Sequence, residues 1–503
     1  MNLTAMSELL WGDKARLRYL LIASLLLLFT LLGAREIWTQ EHRWADIVLG
    51  MFYRQDFLHP YLGNARYYDK PLLSYWLIVF FAKVTHTLSI WTLRLPSALS
   101  GLLTVLGLYY LGATLKNKQL GFLSAWLLLT TFYFVFWARI SSADMLNLAG
   151  SVWAIAWYIS KRNSNFFSDY LVFFLIIAVT ALCKGLVGVI VPMLAVLTDI
   201  GLQKSWRKYL HFNLFLAMVP ALIIYLLPFW ASTYFGGENY GQNGLYLVYR
   251  ENILRYFQPF DHRAPIYVYF IYLPVYLLPW TFFFIPALVT LKSRWSTLTL
   301  SSKWIVWTVF ILFMFFTLSG SRRSYYVLPI VPFAILLIAD WMLSDKCQAR
   351  RNRQVANSII LSFFFLFLSI DLLPAWFYSE FGINRFANDL QSAAVKIKPW
   401  NTWNVVMLGT ESKLNFYLQL SPNIKTYGSK GNRSEKISNT LALDWPILKN
   451  KPVNTIFISR KRYAGALKQF FPGYQLIELP DSIFFLKAHD LNSPIAFIPP
   501  QSA

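Results

Sequence analysis

KPLLSYWLIVFFAKV, residues 70–84, is apolar from Leu72 to Val84 but falls well short of the roughly 20 residues that a membrane-crossing helix needs. The next apolar segment, Leu95 to Leu115, is of full length and ends in Lys116-Asn117-Lys118. If both segments cross, Lys116 and Lys118 lie outside, and every later basic loop falls on the wrong side. If Leu72–Val84 lies in the interface or re-enters, all of these loops fall inside. They are Lys116/Lys118, Lys161/Arg162, Lys204/Arg207/Lys208, Lys292/Arg294 and Lys346/Arg350/Arg351/Arg353. Lys and Arg are retained on the cytoplasmic side of short loops. The second reading is therefore adopted, with Lys14, Arg16 and Arg18 holding the N-terminus in the cytoplasm.

This choice orders the rest of the chain. Spans fall at about 17–34, 94–115, 119–138, 145–160, 167–182, 186–200, 211–230, 266–290, 303–318, 327–343 and 355–375. Pro274, Pro279 and Pro286 predict a break in the eighth. The fold class is a polytopic α-helical membrane protein of about 11–13 spans. Residues 1–375 form the transmembrane domain, with a first outer loop at 35–93 that carries interfacial helices. From 376 to 503 polar residues rise and apolar runs shorten, which predicts a small extracytoplasmic α/β domain. Helices are expected at Asn384–Ile397 and Arg462–Phe471. Strands are expected at Asn404–Leu408, Thr455–Ser459, Gln475–Leu479 and Ile483–Lys487.

Composition agrees. Of 503 residues, 56% are hydrophobic and 14% charged, against roughly 25% charged in a soluble domain. The net charge of +22 sets topology in such a chain before it suggests nucleic acid, and no nucleic-acid partner is expected. The two cysteines, Cys183 and Cys347, fall on opposite sides of the membrane and cannot pair.

Next to the apolar runs, residues 35–70 hold Glu36, Glu41, Asp46, Asp56 and Asp69 together with Arg35, Arg43, Arg54, Arg66 and Lys70. Charges kept beside a bilayer mark function by default. The other outward residues include Asp144, Lys184, the loop 231–265 and the turn 319–326. Basic residues there run against the charge rule, so insertion does not explain them. Lys70, Lys184, Arg255, Arg263, Arg322 and Arg323 can converge on a phosphate or diphosphate near the headgroups. Plainer roles exist for each. Lys184 can snorkel from a helix end, Arg322-Arg323 can anchor to headgroups, and Asp144 can cap the helix it opens. His262 and His42 can simply lie in the interface.

The pattern resembles a known superfamily. Gln40-Glu41-His42-Arg43-Trp44-Ala45 and Tyr67-Tyr68-Asp69-Lys70-Pro71-Leu72-Leu73-Ser74-Tyr75-Trp76 are similar to paired loop motifs of bacterial GT-C glycosyltransferases. These are the enzymes related to protein O-mannosyltransferases and to the undecaprenyl-phosphate 4-amino-4-deoxy-L-arabinose transferases of lipid A. In order, Ser142-Ala143-Asp144-Met145, Cys183-Lys184-Gly185, Glu251-Asn252-Ile253-Leu254-Arg255-Tyr256, His262-Arg263-Ala264-Pro265 and Ser319–Pro329 continue the likeness. It departs at Gln40, where the family has an acid, and at Leu72, where it has a second proline.

The resemblance implies an inner-membrane glycosyltransferase that inverts the sugar carbon. Donor and acceptor would be an undecaprenyl-phosphate sugar and an envelope glycan, foremost the lipid A phosphate. The active site and the C-terminal domain would be periplasmic. A protein O-mannosyltransferase-like enzyme with a Ser/Thr acceptor is the second reading. A lipid-linked-sugar transporter is the third, disfavoured because no repeat is visible and the charges cluster outside. Glu41, Asp144 and Lys70 are the expected catalytic residues. Lys70, Lys184, Arg255, Arg263, Arg322, Arg323 and Tyr326 are expected at the donor phosphate. No cofactor is required on this reading, although Asp69 with His262 would offer two ligands to a divalent cation.

Overall fold

The structure is a computed structural model. It describes residues 17–38, 40–63, 65–68, 70–206, 211–236, 240–259, 262–344, 350–408, 413–420, 426–427, 454–480 and 491–500. Asp69, Cys347 and the expected strand Ile483–Lys487 lie outside these residues. The chain divides into two compact units. One holds residues up to Leu32, Phe57–Pro60 and Tyr67–Ser369; the other holds Gly33–Asp56, Tyr61–Arg66 and the chain from Ile370 onward.

The first unit is a helical bundle. Its helices are α1 (Leu17–Phe29), α2 (Leu73–Val84), α3 (Ile90–Leu115), α4 (Lys118–Leu129), α5 (Phe132–Ala138), α6 (Ala143–Lys161), α7 (Phe167–Lys184), α8 (Val187–Gln203) and α9 (Phe212–Gly236). After these come α10 (Tyr240–Tyr249), α11 (Val268–Tyr276), α12 (Thr281–Val289), α13 (Leu300–Leu318) and α14 (Val331–Met342). A long helix, α15 (Arg350–Phe381), leads out of it. Among the described residues six helical segments are individually long and apolar enough to cross a membrane, or seven if the bent pair Lys118–Leu129 and Phe132–Ala138 is one span, fewer than the 11–13 expected because several of the expected spans form helices shorter than 18 residues. The decisive segment forms α2, whose 12 residues reach only about 18 Å. It is too short to span, and it packs on α3 and α7.

Two expected spans are broken. Residues 266–290 split into α11 and α12 around Leu277–Trp280, as the prolines predict. Residues 119–138 split as well, with α4 and α5 meeting at 72°. No proline marks that bend. Instead Thr130 Oγ1 donates to Trp126 O at 2.7 Å and Thr131 Oγ1 to Leu127 O at 2.8 Å. Threonines that back-bond to the preceding turn bend helices. Phe132 N then donates to Leu278 O, so the two broken spans meet.

Ion pairs sort the ends of the bundle. At one end Lys116 contacts Asp340 and Ser302, Arg162 lies 3.6 Å from Asp199, and Lys161 lies 3.6 Å from Asp169. Since α6 and α7 are antiparallel, Asp144 and Lys184 sit at the opposite end. There, Arg139 is buried and donates to Leu27 O and Thr30 O at 2.6 and 2.7 Å. Buried Arg94 donates to Leu32 O at 2.9 Å. Both arginines satisfy carbonyls that the end of α1 leaves open.

The second unit contains α16 (Glu41–Arg54), the hairpin β1 (Tyr61–Leu62) and β2 (Ala65–Arg66), and α17 (Ile383–Val395). It also has a mixed sheet of β3 (Asn404–Leu408), β4 (Thr426–Tyr427), β5 (Thr455–Arg460), β6 (Gln475–Glu478) and β7 (Pro494–Ile498). The sheet order is β4-β3-β5-β7-β6. β3 runs parallel to β4 and β5, while β7 is antiparallel to β5 and β6. Short helices at Lys413–Tyr417 and Ala464–Lys468 follow β3 and β5. Val406, Leu408, Phe457, Phe471, Ile495 and Phe497 form the core over this sheet.

Candidate functional site

The end of the first unit away from Lys116 gathers several of the expected residues. Ser142 caps α6 by accepting from Asp144 N at 3.2 Å. The cap is therefore Ser142, which leaves the Asp144 side chain for another partner. That partner is Lys184, the last residue of α7, whose Nζ donates to Asp144 Oδ1. Both side chains are 13% exposed. Lys184 is thus a part-buried ion-pair member, not a snorkelling end charge.

Aromatic rings wall the pair. Lys184 Nζ lies 5.7 Å from the centroid of the Tyr326 ring, within cation–π range. Tyr325 packs edge-on against Tyr326 at 5.1 Å and lies 5.0 Å from Trp137. Trp137 Nε1 donates to Tyr276 Oη at 3.2 Å, and Tyr276 stacks on Tyr133 at 4.3 Å. Such a wall lowers the local dielectric, so each charge inside it acts more strongly than in water.

Backbone shape fixes Lys184. The next residue, Gly185, has φ 95°, and a Cβ there would meet Asn252 Nδ2 at 2.7 Å. The helix end and the segment carrying Glu251 and Arg255 therefore lie in direct contact. Arg255 pairs with Glu251 one turn back along one turn of π-helix, Arg250–Leu254. The turn after α13 docks on the same segment, with Gly320 N donating to Tyr256 O at 2.7 Å.

The two arginines of that turn behave differently. Arg322 points its guanidinium at backbone, donating to Thr317 O at 3.0 Å and Ala264 O at 2.7 Å. Arg323 donates to Tyr325 Oη at 3.1 Å and lies 2.9 Å from His262 Nδ1. Arg263 is exposed and donates twice to Pro259 O. So Asp144, Lys184, Tyr326, Arg323 and His262 line one region, while Arg322 and Arg263 tie backbone together.

The chain just before Lys70 is held against α9. There Tyr68 is buried, stacks on Phe229 at 5.5 Å and lies 3.4 Å from Ser232 Oγ. His59 Nε2 lies 2.9 Å from Ser232 O, and a Cβ on Gly236 would collide with that ring at 2.0 Å. Lys70 itself is half-buried. As for a cation, His262 Nδ1 faces a guanidinium. Among the described residues no group of three or more His, Cys, Asp or Glu side chains is placed to hold a metal ion.

Glu41 belongs to the second unit. It opens α16, is fully buried, and accepts from Trp38 N at 2.8 Å. Asp46, on the same helix, was counted among the charges of residues 35–70 but not among the expected site residues. Its Oδ1 is buried without a hydrogen-bond partner, and burial pushes the carboxyl up to about 7. The signal was its place in the run Ala45–Met51, where Ala45, Ile47, Val48 and Leu49 are all buried. Its protonated form favours the fold. The stabilisation is complete below the ordinary carboxylate value of about 4 and is lost as pH rises through about 7. Thermal unfolding across this range should show a midpoint that falls with pH, and Asp46→Asn should flatten the fall. An unchanged slope would assign it to other groups.

Residues 69–230 match the family model of dolichyl-phosphate-mannose-protein mannosyltransferase. A Pseudomonas fluorescens protein named undecaprenyl phosphate-alpha-4-amino-4-deoxy-L-arabinose arabinosyl transferase 2 is 25% identical over 410 residues, which is 76% of this chain and 69% of that protein. The crystal structure of ArnT from Cupriavidus metallidurans bound to undecaprenyl phosphate superposes with a TM-score of 0.71 at 16% identity, covering 96% of this chain and 97% of that one. The fold is that of the ArnT structure. The fold likeness reaches further. The Archaeoglobus fulgidus oligosaccharyltransferase superposes with a TM-score of 0.54 at 13% identity, over 91% of this chain and 71% of that one.

Proposed function

We propose that this chain transfers a sugar from an undecaprenyl-phosphate donor to an envelope acceptor, foremost a lipid A phosphate in the manner of 4-amino-4-deoxy-L-arabinose transfer. The observation that carries the proposal is the Asp144–Lys184 pair inside the Tyr326, Tyr325 and Trp137 wall. The bond from the anomeric carbon to the donor phosphate oxygen breaks, and its electron pair leaves on the lipid phosphate. The acceptor phosphate oxygen attacks from the opposite face and inverts the carbon. Lys184, with Lys70 and Arg323, neutralises charge gathering on the leaving phosphate, as preorganised cations do. Asp144 faces the oxocarbenium-like carbon and stabilises it. Tyr326 donates to the leaving phosphate.

No proton has to be removed from an acceptor that is already ionised. This fits Gln40, which stands where the loop pattern that the sequence resembles has an acid. A serine or threonine acceptor would need a general base. Arg255 has its charge met by Glu251, so its part is to hold the Asn252 segment against Gly185. Arg322 and Arg263 hold the turns in the same way.

Mass spectrometry of lipid A from cells with and without the gene tests the reading. A pentosamine or hexosamine adduct on phosphate should disappear on deletion. Unchanged lipid A with altered glycoproteins would replace the acceptor by a hydroxyl.

The site faces the periplasm from the inner membrane, and the Lys116 end faces the cytoplasm. In a background without native cysteines, a cysteine at Asn117 should resist a membrane-impermeant thiol reagent applied to intact spheroplasts. Labelling from outside would invert this topology.

A further inference from the structure

Two groups that the transfer reading relies on hold each other in this structure. Lys184 Nζ donates to Asp144 Oδ1, yet transfer sets the ammonium on the leaving phosphate and the carboxylate at the anomeric carbon. Once the phosphate draws Lys184 away, Asp144 stands uncompensated within an aromatic wall, which is costly where the dielectric is low. Another donor has to replace the ammonium. Nearby donors are already engaged: Trp137 Nε1 donates to Tyr276 Oη, and Arg323 donates to Tyr325 Oη and lies against His262.

An uncommitted amide lies one turn along α6. Asn147 is 0% exposed. Among the described residues neither its Oδ1 nor its Nδ2 has a hydrogen-bond partner. Buried amides are nearly always bonded, because an unmet donor or acceptor has given up water for nothing. Asn147 follows Asp144 by three residues, a spacing that puts both on one helix face. Helical side chains lean toward the helix N-terminus, which here is the Asp144 end. Four residues further on, Ser151 is buried, and its Oγ too has no partner among the described residues. A polar stripe of Ser151, Asn147 and Asp144 therefore leads along α6 to the site.

We propose that Asn147 is a positioning residue that takes hold of Asp144 when the donor phosphate claims Lys184. Its Nδ2–H donates to the Asp144 carboxylate. Ser151 Oγ–H donates to Asn147 Oδ1 and turns the amide that way. Asp144 is thereby kept facing the anomeric carbon, while Asn147 itself touches no substrate. The inference rests on the transferase reading of the same site.

Transfer kinetics test it, with undecaprenyl-phosphate 4-amino-4-deoxy-L-arabinose as donor and lipid A as acceptor, beside the thermal midpoint of the donor-free chain. Asn147→Leu should lower kcat about 10–100-fold, the worth of one hydrogen bond to a charged group, and leave the donor KM unchanged. Its donor-free midpoint should hold or rise, since an apolar group replaces an unmet amide. Asn147→Ala, which adds no volume, should show the same loss of kcat, and Ser151→Ala a smaller one. In an Asp144→Asn background Asn147→Leu should cost less than about twofold, because no carboxylate remains to be held. A full further loss in that background would overturn the inference. So would a kcat loss that follows a fallen midpoint in both Asn147 variants. An active parent with unaffected Asn147 variants would overturn this role alone, whereas a parent that transfers no sugar would overturn the transferase reading and this role with it.

Discussion

Lys184→Met is expected to lower sugar transfer about 10²–10³-fold, the usual cost of removing one preorganised charge from a transition state. The change has a second consequence that must be separated from the first. Both members of the pair are 13% exposed, so losing the ammonium strands the Asp144 carboxylate. Breaking a fully buried pair on one side costs about 3–5 kcal/mol of stability, and this part-buried pair should cost somewhat less. Removing both charges together costs much less. The double variant Asp144→Asn with Lys184→Met should therefore recover most of the thermal midpoint lost in the single variant. Transfer should stay low, because neither the leaving phosphate nor the developing positive carbon regains its partner. A purely structural pair would give the opposite result, with activity returning along with stability. Transfer measured at saturating donor, together with the unfolding midpoint of each variant, decides between them.

Much of this arrangement was legible in the residues. The shortness of Leu72–Val84 was read correctly, and charge put Asp144 and Lys184 at one end, but the number of spans was overcounted because hydropathy alone does not show where a helix stops. Proline announced the break at Leu277–Trp280. The bend at Thr130-Thr131 was not announced, because a threonine back-bond leaves no trace in hydropathy. Nor was the division of labour among the arginines legible. Arg322 and Arg323 are adjacent and identical in sequence terms, yet one donates to Thr317 O and Ala264 O while the other reaches His262 and Tyr325. Only the path of the turn between Ser319 and Tyr326 decides which guanidinium faces backbone. Arg94 and Arg139 were hidden for a similar reason, since the carbonyls they satisfy lie far away in sequence at the end of α1. In the second unit, β7 escaped notice. Pro494 opens it and Pro499 follows it, so the run reads as a loop, although proline is tolerated at a strand's first residue.

The tight turn after Lys184 supplies the second strong expectation. Gly185→Ala should lower transfer about 10²-fold, the effect of displacing a reacting group by about 1 Å. Two strains act at this position. Its φ of 95° is costly for any residue with a Cβ, by about 1–3 kcal/mol. In addition the new methyl would sit 2.7 Å from Asn252 Nδ2 and 3.1 Å from Asn252 Oδ1. Asn252 cannot simply turn away, because its Nδ2 donates to Val248 O at 2.7 Å. The backbone must yield, and Lys184 moves with it, away from Asp144 and the Tyr326 ring. Combining Gly185→Ala with Asn252→Ala separates the strains: it opens space for the methyl but leaves φ unrelieved. The double variant should therefore recover transfer in part, with a coupling of about 0.5–3 kcal/mol between the two positions. Additive losses would mean that the two segments act independently, and that the contact at Gly185 does not place Lys184.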